Sequence, residues 1–130
     1  MGCDIHALIE RKVGDKWIMV NRLEGKATDR NYQRFAALAG VRGQGPIPKG
    51  LPNDISDSGR LYADEWDGDA HSHSYMDLKE AISIFTDTVD FPNIPLEKKM
   101  EKKIRLPAFY FFDVDDYDID KHRIVFWFDN

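Results

Sequence analysis

The chain has 130 residues, 42% hydrophobic and 32% charged, a length and balance that allow a buried core without disulfide or metal staples and are those of a globular rather than a disordered chain. Eighteen Lys and Arg stand against 23 Asp and Glu, a formal net charge of -5. That argues against duplex nucleic acid or an anionic membrane as partner, while a compact anionic ligand met by a few cations stays open. Cys3 is the single cysteine, so no internal disulfide forms, and neither a spanning apolar run nor a secretory pattern is visible. A cytoplasmic protein is the expectation.

The first strand is expected from about Cys3 to Lys12, turning at Val13-Gly14-Asp15-Lys16 into a second strand through Trp17 to Val20, a β-hairpin. Asp29 to Tyr32 lead into a short helix over Phe35 to Ala39 with Gly40 as its left-handed cap. Val41 to Ser58 carries Gly43, Gly45, Pro46, Pro48, Gly50 and Pro52 and reads as a long loop. One helical turn is expected from Asp57 or Ser58 towards Trp66. His71 to Ser74 reads as extended. Ser74 with Asp77 suggests a capping box opening a helix whose apolar stripe is Leu78, Ala81, Ile82 and Phe85. Leu96 to Leu106 is charged and readable as helix, Pro107 to Phe112 is apolar without a clear period, and Arg123 to Asp129 is a strand suited to a sheet centre. The expected fold is α+β: one domain over 1–130, mainly an antiparallel sheet with helices packed against it, the last strand joining the first hairpin.

Site chemistry concentrates in three places. Residues two apart on a strand share a face, so Asp4 and His6 stand together, with Cys3, Ile5, Ala7 and Ile9 opposite. If extended, His71 and His73 share a face as well. Arg123, Val125, Trp127 and Asp129 share one at the chain's end. Imidazole and carboxylate are the usual ligands of a divalent transition metal, so Asp4, His6, His71 and His73 form a candidate centre for zinc or manganese, with no organic cofactor. Asp69 or Asp129 is then an orienter or general base. Without a metal, His6 with His71 or His73 can act as general acid and base on a phosphodiester, with Ser72 or Ser74 holding a phosphoryl oxygen. A lone His-x-His or Asp-x-His is weakly specific, since surface histidines and buried Asp–His pairs are common. Arg42 and Lys49 are the favoured cations because their Gly/Pro loop also offers free N–H groups. The acidic run Asp113 to Asp120 lacks the Gly and Glu of an EF-hand loop and reads as a turn. His122 reads as solvent-exposed. Cys3 packs inward, and alternation keeps it from His6, the base that a nucleophile there needs.

These residues also resemble a family of small bacteriophage and prophage proteins. The shared features are the opening Gly-Cys-Asp-Ile-His (Gly2 to His6), Arg30-Asn31-Tyr32 with Phe35, Val41-Arg42, and the loop from Pro46 to Asp54. His71-Ser72-His73-Ser74 and the ending Val125 to Asn130 complete them, with Lys49 standing where arginine is common. The resemblance assigns no reaction. It implies work in an infected bacterial cytoplasm against nucleotide-based defence. The leading expectation is a hydrolase of a phosphate ester or nucleotide, through Asp4, His6, His71, His73 and Asp69, with Arg42, Lys49, Ser72, Ser74 and Asp129 holding the anion. The rival is a nucleotide-sequestering module working as a homo-oligomer. A third reading is a protein inhibitor docking through Pro46 to Pro52.

Overall fold

Cys3, Ile5, Ala7 and Ile9 alternate with Asp4, His6, Leu8 and Glu10, and both sets are wholly or largely buried. A strand covered on both faces belongs inside a sheet, not at its edge. The computed structural model, which describes residues 2–22, 31–66, 68–82, 84, 103–106, 112–115 and 118–129, bears this out. Its elements are β1 (Asp4–Val13), β2 (Lys16–Arg22), α1 (Tyr32–Ala39), α2 (Asp57–Asp64), β3 (Ala70–Asp77), α3 (Leu78–Ala81), β4 (Lys103–Leu106), β5 (Phe112–Asp115), a 3-10 turn (Ile119–Lys121) and β6 (His122–Asp129). Four strands form a sheet in the order β2-β1-β6-β3, with β4 and β5 a separate two-stranded ladder. Every pairing is antiparallel. The α+β expectation therefore holds, with the last strand beside the first hairpin.

Helices and loop cover the two faces of the four-stranded sheet. On the α1 face Cys3, Ile5, Ala7, Ile9, Phe126 and Phe128 meet Phe35, Leu38, Leu78 and Ala81. On the α2 face Leu8, Val125 and Trp127 meet Ile55, Tyr62 and Ala63. β6 supplies both clusters and is buried from His122 to Phe128, the place its β-branched and aromatic content suits. Helix α1 is fixed at both ends. The Asn31 side chain accepts from the Arg34 N–H at 3.0 Å, and Gly40, at φ 70°, donates its N–H to the Ala36 carbonyl at 2.7 Å. That left-handed conformation is one that glycine adopts without a Cβ penalty. Ser56 caps α2 by accepting from the Gly59 N–H at 3.0 Å.

The Val41 to Ser56 loop is tied down along its length. A Cβ on Gly45 would lie 1.8 Å from the Ala36 carbonyl oxygen, so the loop backbone runs directly against α1. We expect Gly45→Ala to cost roughly 1–3 kcal/mol, the usual penalty for an overpacked site, read as a lower melting temperature. Further on, the Gly50 N–H donates to the His73 carbonyl at 2.8 Å and the Lys49 N–H to Ser74 Oγ at 3.2 Å. The loop thereby covers the outer edge of β3.

A buried ion pair closes the loop. Arg123 stands directly opposite Glu10 in the β1–β6 ladder and donates through Nε to Glu10 Oε1 at 2.7 Å. The other oxygen, Oε2, accepts from the Ser56 N–H at 2.7 Å. Nη1 of Arg123 reaches Asp54 Oδ1 at 2.9 Å, and its guanidinium lies 3.9 Å from the Trp17 ring centre. That hydrogen bond holds the Asp54 carboxyl below its ordinary pKa.

Four expectations need correcting. Ser74 does not begin a helix: β3 runs on to Asp77, which takes the N-cap position of the short α3, because the Ser74 hydroxyl is already committed to the loop. Residues 103–106 are strand rather than helix, pairing with β5. Positions 85, 96–102 and 107–111 of the expected elements lie outside the described residues. His122 is 3% exposed, not solvated. It opens β6 with Nδ1 2.9 Å from the Asp118 carbonyl, while the Arg11 guanidinium donates to both Asp118 carboxylate oxygens at 3.1 Å. Of the acidic run read as a turn, Asp113 to Asp115 are strand in β5, and Asp118 is the anchor for Arg11 and His122.

Candidate functional site

In the ladder between β1 and β6, His6 stands opposite Trp127, and Asp4 opposite Asp129. All four lie on the α2 face. The imidazole turns to its diagonal neighbour, with His6 Nε2 2.5 Å from Asp129 Oδ2. Both side chains are mostly buried, at 12% and 14% exposure. The pairing expected between Asp4 and His6 is thus one of shared face, and the hydrogen-bonded acid is Asp129. Trp66, just past α2, stacks on His6 with ring centroids 3.8 Å apart and planes at 25°. Charge-assisted bonding on one side and stacking on the other leave the ring little freedom. Its second nitrogen, Nδ1, has no hydrogen-bond partner among the described residues.

His71 and His73 do not share a face. Across from β6, His71 pairs with Phe128 and Ser74 with Phe126, so Ser72 and His73 together oppose the single residue Trp127. This is a β-bulge, with Ser72 at φ 58°, a left-handed conformation uncommon outside glycine. The extra residue breaks the two-residue alternation. His71 goes to the α1 face, its ring against Phe128 and its Nε2 4.0 Å from Cys3 Sγ. His73 goes to the α2 face, stacked at 6.1 Å on Trp127. His6 lies 6.2 Å from the same indole, and β6 runs between the two histidines' strands, so they flank Trp127.

Of the expected residues, then, Asp4, His6, His73 and Asp129 share one face and His71 lies on the other. Among the described residues no three His, Cys, Asp or Glu side chains converge as metal ligands would. Ser72 holds His71, its Oγ 2.9 Å from Nδ1. Ser74 is buried under the loop, and Asp69 is exposed in the turn before β3. Lys49 stays near His73, with Nζ 4.7 Å from the Tyr75 ring centre. Arg42 sits over Tyr32 at 4.7 Å, on the α1 side.

Sequence reasoning missed Trp66, Tyr62 and Arg22. Tyr62 meets Trp127 edge-on at 5.1 Å, and the Arg22 guanidinium lies 4.8 Å from the Tyr62 ring centre. All three come from elements whose placement depends on the sheet order. A groove of about 520 Å³ at the far end of β1 is lined by Arg11, Lys12, Lys121, Asp77 and Asp120; its mixed charge gives no preference for an anion.

Burial, helped by the neighbouring charge of His71, lowers the His73 pKa below its ordinary 6.5. Burial likewise lowers that of His122, against the opposing pull of Asp118. Both are therefore neutral in the folded chain where the unfolded chain begins to protonate. Stability is expected to be fully present above pH 6.5 and to fall as pH drops through it, since the unfolded state then binds more protons. Each histidine adds a slope of at most about 1.4 kcal/mol per pH unit. Urea midpoints at pH 7.5 and 5.5 measure this, and His122→Asn should shrink the difference.

Comparison with protein-family models, curated proteins and solved structures finds no match, and the geometry alone carries the functional reading.

Proposed function

We propose that the chain is a small hydrolase of a phosphate ester or nucleotide, working on the α2 face around Trp127. The observation that carries this is the His6 ring, fixed at Nε2 by Asp129 with Nδ1 uncommitted. A carboxylate holding one imidazole nitrogen sets the tautomer, leaves the other nitrogen to move a proton, and stabilises the imidazolium that forms. His73, kept neutral by burial, is the companion base. In this reading His73 takes the proton of the attacking water and His6 gives one to the leaving oxygen. Two strand spacings, about 10 Å, separate the strands that carry them, with the buried Trp127 indole between the two rings. Lys49 and Arg22 supply positive charge at the two sides of the site. Zinc or manganese, expected on Asp4, His6, His71 and His73, has no part in this reading, because among the described residues those side chains do not converge as metal ligands would.

The second reading, sequestration of a nucleotide, is favoured by the partly exposed rings of Trp66 and Tyr75, since a base stacks well on such surfaces. The resemblance to phage proteins suggests, for either reading, a host signal nucleotide as ligand and a bacterial cytoplasm as setting. The test is incubation with bis(4-nitrophenyl) phosphate and a panel of cyclic dinucleotides, with and without chelator or added metal, followed by mass spectrometry of the released small molecules. Cleaved product is expected. Intact ligand recovered after denaturation would favour sequestration, and no ligand bound or cleaved would set both aside.

A further inference from the structure

Strand β2 ends the four-stranded sheet, with β1 on one side and, among the described residues, no strand on the other. Among those residues no main-chain group of Lys16 to Val20 bonds outside the β1 ladder. Val20 is an extra residue in that ladder, since Glu10 pairs with Met19 and Ile9 with Asn21, so Lys16 to Met19 is the regular stretch. Alternation sends Trp17 and Met19 to the α2 face, where they meet Arg123 and the Leu8 cluster. Lys16 and Ile18 turn to the opposite face, beside their ladder partners Val13 and Arg11. This corner of the sheet is left open: Val13 is 48% exposed, Ile18 49% and Val20 40%. An apolar row along an unpaired edge invites association.

Charge says what fits there. From Arg11 to Arg22 the hairpin carries four cations, Arg11, Lys12, Lys16 and Arg22, against the single acid Asp15, a local charge of +3 in a chain of net -5. We propose that β2 is a docking edge, which takes an extended acidic and apolar segment of another protein as a further strand of the sheet. Main-chain pairing supplies the affinity, and alternate side chains supply the selection. On the open face the segment's apolar residues cover Ile18 and Val20, while an acid stands opposite Lys16, a favourable cross-strand pair. Arg11 is already held by Asp118, so Lys16 is the cation that selects. The bulge at Val20 keeps the regular pairing short. A second copy of this chain fits poorly, because edge-to-edge meeting brings two hairpins of +3 together. An anionic polymer would use the cations and leave the apolar row bare. The edge is separate from the acid–base residues on the α2 face and does not depend on their reading.

The experiment titrates the full chain into a fluorescein-labelled peptide, Asp-Val-Thr-Ile-Thr-Glu, and reads fluorescence anisotropy. Laid antiparallel on β2, its Glu faces Lys16, its Ile faces Ile18 and its Val faces Val20. Binding is expected with a Kd below about 1 mM. Lysine in place of both peptide acids should weaken it by about tenfold. N-methylation of alternate peptide amides should weaken it by about tenfold in one of the two phases only, the phase whose N–H groups point at β2. In the protein, Lys16→Glu and Ile18→Thr, both at exposed positions and checked for folding by circular dichroism, should each weaken binding by about threefold or more. No binding of the acidic peptide would overturn the proposal, as would equal affinity for the lysine peptide or equal loss in both methylation phases. A dimer of the chain alone that Ile18→Thr dissolves would overturn it in favour of a second copy.

Discussion

Asp129→Asn is expected to lower turnover by about 10²–10⁴-fold, the range that a positioned acid–base group contributes. The change keeps the shape of the side chain. It replaces a carboxylate that accepts from His6 Nε2 at 2.5 Å with an amide that offers a donor or a neutral oxygen, so the ring loses the partner that stabilises its cation. The stability cost should be only about 1–2 kcal/mol, that of one partly buried hydrogen bond. The split matters: a purely structural Asp–His pair would lose stability and leave the folded fraction's turnover unchanged. Steady-state rates and urea denaturation on one preparation separate the two outcomes.

Glu10→Gln is expected to have the largest effect on stability, about 3–5 kcal/mol, because it strips the charge from one member of a buried pair. Both Glu10 oxygens are in use, one by Arg123 and one by the Ser56 N–H, so the amide group of glutamine must face a donor whichever way it turns. Arg123 keeps Asp54, but that partner is largely exposed and compensates less. Glu10→Leu combined with Arg123→Met should recover most of the loss, since well-packed apolar replacements of a buried pair are often neutral. A loss below about 1 kcal/mol for Glu10→Gln would show that solvent reaches the pair.

Much of the fold was legible in local pattern. The Gly14-Asp15 turn, the Phe35-to-Ala39 part of α1 with its Gly40 cap, and the apolar run of β6 each announce themselves through residues adjacent in the chain. The Asn31 cap that starts α1 three residues earlier does not. Partners set by register did not. Glu10 and Arg123 face each other only once β1 and β6 are neighbours, and Trp66 finds His6 only once α2 covers that face. The site was half legible for a similar reason. Asp4, His6, Trp127 and Asp129 fall on one face by simple alternation. His71 and His73 defeat it, because a bulge at Ser72 inserts one residue and nothing in His-Ser-His-Ser marks that serine as left-handed. Ser74, which looked like a helix cap, is taken by Lys49 across a loop whose path no local signal encodes.

The division of the histidines between two faces is the centre of this account, and one comparison tests it most directly. Turnover of the cyclic dinucleotide or bis(4-nitrophenyl) phosphate cleaved by the wild type is measured for His6→Gln, His73→Gln and His71→Asn. The account predicts large losses in the first two and a rate within about threefold of wild type, under 1 kcal/mol of barrier, in the third. Loss in His71→Asn with His6→Gln and His73→Gln unaffected would contradict it and move the chemistry to the other face of the sheet.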